Sequence, residues 1–349
     1  MSRARDFADL AGSADAGGLT GRNIVINGAM TISQRGTSST GVTASGYRSA
    51  PDKFRPSIGN AGTWTISQST DAPEGFSNSY KFDCTTAKAS LDAGSDMALQ
   101  YRFEGQDLQM LKKGTSNAAS VTVSFYVKST KTGTFILELM DNDNNREISK
   151  AYTVSASDTW EKKEVTFEGD TTGTLDNDNA RSFTLQWWLV AGTNFTSGTL
   201  NTSWSDPATA NRVVGQVNIA DSTSNNWLLT GVQLEVGEQA TPFEHRSFGD
   251  ELARCQRYFI RTEEFSYHLA GRWHHDGGTP LTQYNIPVVM RAAPSVSIST
   301  AFSSGSGYTG TPTFSDFTTM NFFMASATSR NANDVQYLHN GVLDISAEL

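Results

Sequence analysis

The 349-residue sequence has little charge and only two cysteines, and these shortages exclude several classes of protein. Charged residues make up 18% and the net charge is −9, so the basic surface that nucleic acids or anionic membranes require is missing. Cys84 and Cys255 are too few for a disulfide framework, and we expect both to be free thiols. No segment reaches the roughly 18 apolar residues of a membrane span, so we expect neither membrane insertion nor a signal peptide.

The residue types that are abundant favour β structure. Gly, Ser, Thr and Asn are abundant where other proteins have charged residues, and these residue types suit tight turns and pleated surfaces. The 19 Phe, 10 Tyr and 7 Trp suffice for a packed core. About ten short alternating strands follow one another without helical stretches, which predicts an antiparallel two-sheet sandwich. The clearest lie at 64–66, 81–84, 99–103, 121–127, 135–140, 160–167, 183–190 and 227–236.

Composition and pattern divide the chain into a leader, a sandwich, a connector and a second β domain. These segments span residues 1–20, 21–240, 241–260 and 261–349. In the leader, Phe7 and Leu10 lie at helical spacing ahead of a glycine pair, which predicts a short attachment helix. In the sandwich, the apolar run 24–26 predicts a first strand that turns at Asn27-Gly28.

The connector is predicted to contain a short helix. Ser247 and Asp250 have the form of a capping box, and Leu252, Cys255 and Phe259 would share one helix face. The smaller C-terminal β domain follows it. Its predicted strands lie at 284–290, 295–299, 318–324 and 342–346.

No motif in the sequence has a complete catalytic signature. The run from Gly305 to Gly310 matches G-x-G-x-x-G, but Pro312 follows where dinucleotide binding needs a helix, so we interpret it as a turn loop. A serine-hydrolase elbow is absent, and neither cysteine has the context of a nucleophile. A carboxylate pair for glycoside cleavage is a spatial feature, which the sequence leaves open. We assign no catalytic residue and expect the chain not to be an enzyme.

Two acidic loops are candidates for a metal site. Asp-Asn-Asp-Asn occurs at 141–144 and at 176–179. Asp141, Asp143 and Asn145 have the alternate spacing of calcium ligands, but Arg146 and Tyr152 replace the glycine and the bidentate glutamate of an EF-hand. Two interpretations stay open, a calcium site at the rim of the sandwich or plain turns. We expect no other cofactor.

Aromatic side chains supply the candidates for ligand contact. Trp187 and Trp188 are neighbours on a strand, so one faces the core and the other outward. We take Trp188 as the outward residue, in contact with a glycan or a neighbouring subunit. A polar and aromatic rim is a second candidate, with a plain hairpin as the alternative. It would consist of Trp273, His274, His275 and Tyr284.

Two segments carry a resemblance to a known family. The first is GRNIVINGAMTISQRG at 21–36, with DKFR at 52–55, and the second is WLLTGVQLEVGEQATPFEHR at 227–246, continuing to ELARCQRYF at 251–259. Together they resemble tail-fibre and related appendage proteins of tailed bacteriophages. The resemblance implies a jelly-roll sandwich similar to carbohydrate-binding modules. It also implies a virion component that is commonly trimeric and has a variable C-terminal domain in contact with the host.

These observations predict a non-enzymatic virion fibre protein that attaches to host-surface polysaccharide. The leader, through Phe7 and Leu10, would bind other tail or capsid proteins, and the protein would assemble in the host cytoplasm and reside in the virion. A homotrimer would raise weak glycan affinity by multivalency. Two alternatives stay open: a purely structural baseplate, adaptor or capsid-decoration protein, and a surface-polysaccharide depolymerase.

Overall fold

The structure, a computed structural model, describes residues 21–262, 265–269, 281–301, 303–304, 313–325 and 336–349. The chain forms two compact units. The first runs to Glu251 and includes Leu349, and the second runs from Leu252 to Glu348. In the described part of the chain, no helix has the length and apolar character needed to cross a membrane.

The first unit is an antiparallel β-sandwich. In chain order its strands are β1 (Ser38–Val42), β2 (Phe54–Gly59), β3 (Thr63–Ser69), β4 (Ser79–Thr86), β5 (Asp96–Glu104), β6 (Val121–Ser129), β7 (Gly133–Asp141), β8 (Arg146–Val154), β9 (Glu161–Phe167), β10 (Arg181–Ala191) and β11 (Asn226–Val236). A six-stranded sheet has the order β1-β3-β4-β11-β6-β9, and a five-stranded sheet has the order β2-β5-β10-β7-β8. The sequence-based prediction of an all-β jelly-roll sandwich is therefore confirmed.

The main core lies between the two sheets. Each strand turns alternate side chains inward, and Trp64, Trp187 and Trp227 are completely buried there. The Trp187 ring centroid lies 5.8 Å from that of Phe125 on β6, so this aromatic pair bridges the layers, and it lies 6.3 Å from that of Phe54 in its own sheet. Cys84 and Cys255 are buried free thiols.

Most predicted strands are present, but the edges of the sandwich were predicted less well. Strand β9 is an edge strand of the six-stranded sheet, a position that suits its charged side chains. Strands β1, β2 and β8 do not correspond to any of the predicted strands given above. Strand β2 contains Pro56, and β8 alternates apolar with polar residues only in part, so neither has a clear period of two.

The predicted opening strand at 24–26 and its hairpin are wrong, although the predicted turn at Asn27-Gly28 is confirmed. Residues 26–29 form a turn in which Asn27 has a φ of 60°. The Asn27 side chain donates from Nδ2 to the carbonyls of Ile32 (2.8 Å) and Asp52 (3.0 Å), and its Oδ1 accepts from Ile32 N (2.9 Å). This side chain satisfies the backbone that a paired strand would otherwise have satisfied.

The two segments that carry the family resemblance contact each other. The Glu244 carboxylate accepts a hydrogen bond from Asn23 N (2.7 Å), and Asn23 Nδ2 donates to Val232 O (3.0 Å). Arg246 Nη1 donates to Val25 O (3.0 Å). The two segments therefore connect the start of the sandwich to its last strand through hydrogen bonds, which is a structural role.

Two helices and four 3-10 turns complete the described part of the first unit and the connector. Helix α1 (Thr193–Thr196) follows β10, and α2 (Phe248–Gln256) follows Ser247, whose Oγ accepts from Asp250 N at 3.3 Å. The division between the units falls within α2. Phe259 does not share the helix face with Leu252 and Cys255, because α2 ends at Gln256 and a turn precedes the next strand. The 3-10 turns are Gly105–Asp107, Gln109–Leu111, Thr209–Asn211 and Ile219–Asp221.

The second unit is also made of strands. They are β12 (Phe259–Arg261), β13 (Phe265–Leu269), β14 (Leu281–Asn285), β15 (Ser295–Thr300), β16 (Ser303–Ser304), β17 (Thr313–Ser315), β18 (Asn321–Ala325) and β19 (Gln336–Ser346). Strand β19 pairs with β12, β13, β15 and β16, and β18 lies between β14 and β17. The predicted strand at 284–290 stops at Asn285, ahead of Pro287. The core consists of Ile260, Ile286, Met290, Leu343, Ile345 and Ala347.

Candidate functional site

The outer face of the five-stranded sheet carries a row of polar side chains. The strand register places Arg55 of β2 opposite Gln100 of β5, Gln100 opposite Gln186 of β10, and Gln186 opposite Glu138 of β7. Their neighbours along the strands face the core, so these four residues face outward. We call Arg55, Gln100, Gln186 and Glu138 the polar row.

Hydrogen bonds join the members of the polar row in one direction. Arg55 Nη1 donates to Gln100 Oε1 (3.2 Å), Gln100 Nε2 donates to Gln186 Oε1 (2.8 Å), and Gln186 Nε2 donates to Glu138 Oε2 (2.9 Å). Arg102 Nη2 also donates to Gln100 Oε1 (3.1 Å). Arg55, Gln100 and Arg102 are half-buried, whereas Gln186 and Glu138 are buried. The row is thus fixed in conformation and reaches the surface at its arginine end.

Residues 193–217, the cover segment, pack against the other half of this face. They shield an apolar cluster on the outer side of the sheet, in which Trp188 meets Ala98, Ile136 and Val213. The Phe195 ring lies 5.4 Å from the Trp188 ring. Backbone bonds hold the segment along the free edge of β8, where Ser149 N donates to Asn201 O (2.7 Å) and Glu147 pairs with Ser205.

An arginine between two buried carboxylates fastens the cover segment. Arg212 Nε donates to Glu138 Oε1 at 2.7 Å and lies 3.3 Å from Glu147 Oε2, and both carboxylates are fully buried. Burial, and then the negative charge of Glu138, raise the pKa of Glu147 to about 7. Although burial alone would lower it, the Glu138 and Glu147 charges raise the pKa of Arg212. Trp188 Nε1 donates to Glu138 as well (2.8 Å).

Trp188 is not available for the contact that the sequence predicted. Its ring does face outward from the sheet, opposite to Trp187, but only 3% of its surface is exposed. The guanidinium of Arg212 lies 5.1 Å from its ring centroid, so the cover segment occupies the surface on which a sugar or a subunit would stack. The predicted glycan or interface contact of Trp188 is corrected to an internal packing role.

The predicted calcium ligands form a turn around a lysine. Asp141 is fully buried, its Oδ2 lies 2.5 Å from Lys113 Nζ, and its Oδ1 accepts from Asp143 N and Asn144 N (both 3.0 Å). Asn145 takes the left-handed position of the turn, with a φ of 51°. The ammonium of Lys113 thus holds the place that a cation would need, and this geometry supports the turn interpretation over the calcium site.

Lys113 is itself fully coordinated by oxygen. Its Nζ lies 3.1 Å from Asp170 Oδ2 and donates to the carbonyls of Thr172 (2.7 Å) and Gly173 (2.9 Å). Arg146 also donates to Asp170, at 2.7 Å, and together with the Lys113 bonds it lowers the pKa of Asp170 against the raising effect of burial. Within the described ranges, no group of three His, Cys, Asp or Glu residues is placed to hold a metal ion.

Of the remaining residues that the sequence predicted to make contacts, Tyr284 is described by the structure and the others are not. Tyr284 is half-buried on β14 and packs against the core of the second unit, and burial raises its pKa. Phe7, Leu10, Trp273, His274, His275 and the run 305–310 lie outside the described residues.

A small aromatic cluster lies on the outer face of the six-stranded sheet. The Phe76 ring lies 5.4 Å from Tyr126, 5.0 Å from Phe243 and 5.4 Å from His245. Gly231 makes room for it, because an added Cβ would lie 2.7 Å from Phe76 Cζ, and its φ is +62°. The rings pack tilted or edge-to-face with one another, so they form a local core for residues of the second motif segment.

Sequence reasoning missed the polar row completely. Arg55, Gln100, Gln186 and Glu138 are far apart in the chain, and only Arg55 belongs to a quoted motif, the DKFR at 52–55. The only signal in the sequence was a polar residue between two core residues in each strand. Every outward-facing position of a strand has this same pattern, so the signal does not single out these four residues. The strand order had to be known before these residues could be grouped.

Comparisons with known proteins find similarity to solved structures at low sequence identity. No family model matches the chain, and no curated protein matches it. Among solved structures, a family 11 carbohydrate-binding module of a Clostridium thermocellum cellulase is 11% identical over 58% of this chain and 99% of the module, with a TM-score of 0.30. The module TmCBM61, solved with β-1,4-galactotriose, is 11% identical over 62% of this chain and 99% of its own, with a TM-score of 0.32.

A phage protein is also among the similar structures. The enzymatically active domain of tailspike protein 4 from bacteriophage CBA120 is 11% identical over 61% of this chain, with a TM-score of 0.30. The present chain spans only 21% of that protein's length.

Proposed function

We propose that this chain is a non-enzymatic attachment protein of a tailed-bacteriophage virion whose sandwich binds host-surface glycan. The glycan would lie on the outer face of the five-stranded sheet, along the exposed end of the polar row. The single observation that carries this proposal is the hydrogen-bonded series from Arg55 through Gln100 to Gln186. The motifs at 21–36 and 227–259 support the virion role, because they resemble phage appendage proteins.

The chemistry of the polar row suits sugar hydroxyls. Amide and guanidinium groups are planar and offer donors and acceptors at fixed angles, and each hydroxyl of a sugar is both donor and acceptor. Because Gln100 is already held by its neighbours, it loses little rotamer freedom when a ligand binds. Such a surface gains affinity by being ordered in advance.

An array of bacterial surface polysaccharides tests the glycan part. The full chain should bind at least one polysaccharide, and Gln100→Ala should weaken that binding roughly tenfold, since it removes the acceptor and donor at the centre of the exposed end. The control is Glu164→Gln, an exposed position on the outer face of the six-stranded sheet, which should bind as the wild type does. Absence of binding to every polysaccharide would leave a purely structural virion role.

The virion and oligomer parts need their own measurements. Antibodies against the purified protein should label tail or capsid appendages of phage particles in electron micrographs. Light scattering should give a trimer, which would raise weak per-site affinity by multivalency. Unlabelled particles would contradict the virion assignment, and a stable monomer at micromolar concentration would contradict the trimer.

One observation favours a depolymerase as the second candidate. Glu138 and Glu147 are a close pair of buried carboxylates, and the pKa of Glu147 is raised to about 7, as a general acid requires. Both are engaged by Arg212 under the cover segment, which supports attachment over cleavage. If incubation with host polysaccharide released reducing ends, and Glu147→Gln abolished that release, the chain would be an enzyme.

A further inference from the structure

A lysine and an aspartate are buried together in the interior of the first unit. Lys113 Nζ lies 2.5 Å from Asp141 Oδ2, and the two side chains are 3% and 0% exposed. The carbon that carries this oxygen, Asp141 Cγ, lies at most about 3.7 Å from Nζ, since a C–O bond adds about 1.2 Å. Reacting atoms about 3–3.5 Å apart are in position for attack, so a small approach brings these two groups within range.

Five other lysine–aspartate pairs in the chain are far more open to water. Their aspartates are 35% to 64% exposed, and Asp92, which pairs with Lys88 at 2.8 Å, is an example. Around Lys113 the neighbours are apolar, and its Nζ lies 5.6 Å from the centroid of the Trp204 ring. Burial penalises both charges of an ion pair, and a neutral amide between Lys113 and Asp141 would remove both.

Backbone N–H groups point at the other oxygen of Asp141. Its Oδ1 accepts from Asp143 N and Asn144 N, both at 3.0 Å. When a nucleophile adds to a carboxyl carbon, one oxygen becomes an oxyanion, and two fixed N–H donors stabilise it. Asp141 Oδ2 faces the lysine and accepts from Asn144 Nδ2 (2.9 Å), so it is the oxygen in position to leave.

A second carboxylate is placed to move protons between the two groups. Asp170 Oδ2 lies 3.1 Å from Lys113 Nζ. Burial raises the pKa of Asp170, but the bonds from Arg146, Thr172 N and Lys113 outweigh burial and lower this pKa below its ordinary value. Asp170 is therefore ionised and can accept a proton from the ammonium, while Arg146 Nε holds it in place at 2.7 Å.

We propose that Lys113 and Asp141 condense to an intramolecular isopeptide bond, which joins the segment ahead of β6 to the end of β7. Asp170 takes a proton from Nζ, the freed electron pair of Nζ bonds to Asp141 Cγ, and Asp170 passes the proton to Oδ2. The Cγ–Oδ2 bond breaks with its electron pair on oxygen. This oxygen takes two of the three ammonium protons in all and leaves as one water.

The products fit the surroundings that the structure provides. The third ammonium proton stays on the amide nitrogen, which can donate to Thr172 O, 2.7 Å from Nζ. Asp170 ends as the carboxylate it was and remains paired with Arg146. The step needs no oxidant, reductant or co-reactant, and exclusion of water protects the new bond from hydrolysis. The cross-link is independent of glycan attachment, so either proposal can fail alone.

Mass spectrometry of the denatured full chain tests the cross-link. The wild type should be lighter than the sum of its residues by one water, about 18 Da. Trypsin should leave Lys113 uncut and give a branched peptide in which residues 113–128 are joined to residues 132–146. A full mass together with an ordinary peptide 114–128 would refute the proposal and leave an ion pair only.

Matched variants identify the groups that take part. Lys113→Met and Asp141→Ala should each have the full mass of their own sequences, because one partner is missing. Asp170→Asn should slow bond formation at least about a hundredfold, because an amide cannot take up the proton. Lys88→Gln, which changes a lysine of an exposed pair, should still lack one water.

The remaining outcomes test each assignment separately. If the branched peptide joins Lys113 to residues 164–181, which contain Asp170, the assignment of Asp141 as the partner is wrong. If Asp170→Asn is cross-linked as fully and as fast as the wild type, the proton relay is wrong. The wild-type mass decides the cross-link on its own, so a variant that fails to fold does not affect that decision.

Discussion

Replacing Glu147 by glutamine should change how the stability of the sandwich depends on pH. Glutamine has the shape of the protonated acid, and its Oε1 can still accept from Asn201 Nδ2, as Glu147 does at 2.9 Å. With Glu147 uncharged, Arg212 faces the single charge of Glu138 in a balanced pair. The substitution therefore removes one buried negative charge and its 3.3 Å ion pair with Arg212, and it leaves the pair between Arg212 and Glu138 in place.

The sign of the effect follows from the raised pKa. Between the ordinary value of 4.5 and about 7, the folded state holds a proton on Glu147 that the unfolded state has released. The folded wild type is therefore destabilised progressively as the pH rises through this range, and the full cost is present above it. The gap between the two pKa values, at about 1.4 kcal/mol per pKa unit, sets a ceiling of about 3.5 kcal/mol. We expect a change of about 2.5 kcal/mol between pH 5 and pH 8, because part of the cost already appears at pH 5.

Urea unfolding at a series of pH values measures this difference. Six of the seven tryptophans lie between residues 64 and 227, so their fluorescence reports on the sandwich. The free energy of unfolding of Glu147→Gln, minus that of the wild type, should rise by the stated amount from pH 5 to pH 8. Glu164→Gln, at an exposed position, should give a flat difference. Parallel pH profiles for wild type and Glu147→Gln would refute the argument that a buried, like-charged neighbour raises this pKa.

Two further substitutions test other parts of the first unit. Lys113→Met should lower the free energy of unfolding in urea by about 3–5 kcal/mol, because it leaves the buried carboxylates of Asp141 and Asp170 without their cation. Calcium chloride should not raise the melting temperature of the wild type. A clear rise would restore the calcium interpretation. Gly231→Ala should lower the free energy of unfolding by about 1–3 kcal/mol, because alanine is strained at a φ of +62° and its Cβ would overlap Phe76. An unchanged midpoint of unfolding would show that the Phe76 ring moves aside freely.

Alternation along single strands was readable from the sequence, and it gave the fold class. Trp187 and Trp188 illustrate both its success and its limit. Their opposite orientation follows from the pleat of one strand, and the structure has it. Whether the outward ring meets solvent depends on a segment that returns over it some residues later, which no local pattern encodes.

The site depends on strand order, and strand order is a property of the whole sandwich. Arg55, Gln100, Gln186 and Glu138 become neighbours only because β2, β5, β10 and β7 lie side by side in that order. The choice between a calcium site and a plain turn at Asp141 depends on tertiary structure as well. Asp141 has the spacing of a metal ligand, but Lys113 approaches it from a different part of the chain. Local spacing predicts which atoms could bind a cation, and tertiary structure decides whether a lysine binds there first.

The charges at its two ends give the polar row its direction. Arg55 and Arg102 can only donate, so Gln100 must present its oxygen to them and its amide nitrogen to Gln186. Gln186 must then accept on that side and donate to Glu138, which accepts from Arg212 as well. Turning either amide over would set donor against donor at one of its contacts, so the ends fix both amides in one orientation. The exposed end of the row therefore consists of guanidinium N–H donors, one of which, Arg102 Nη1, donates to Leu349 O.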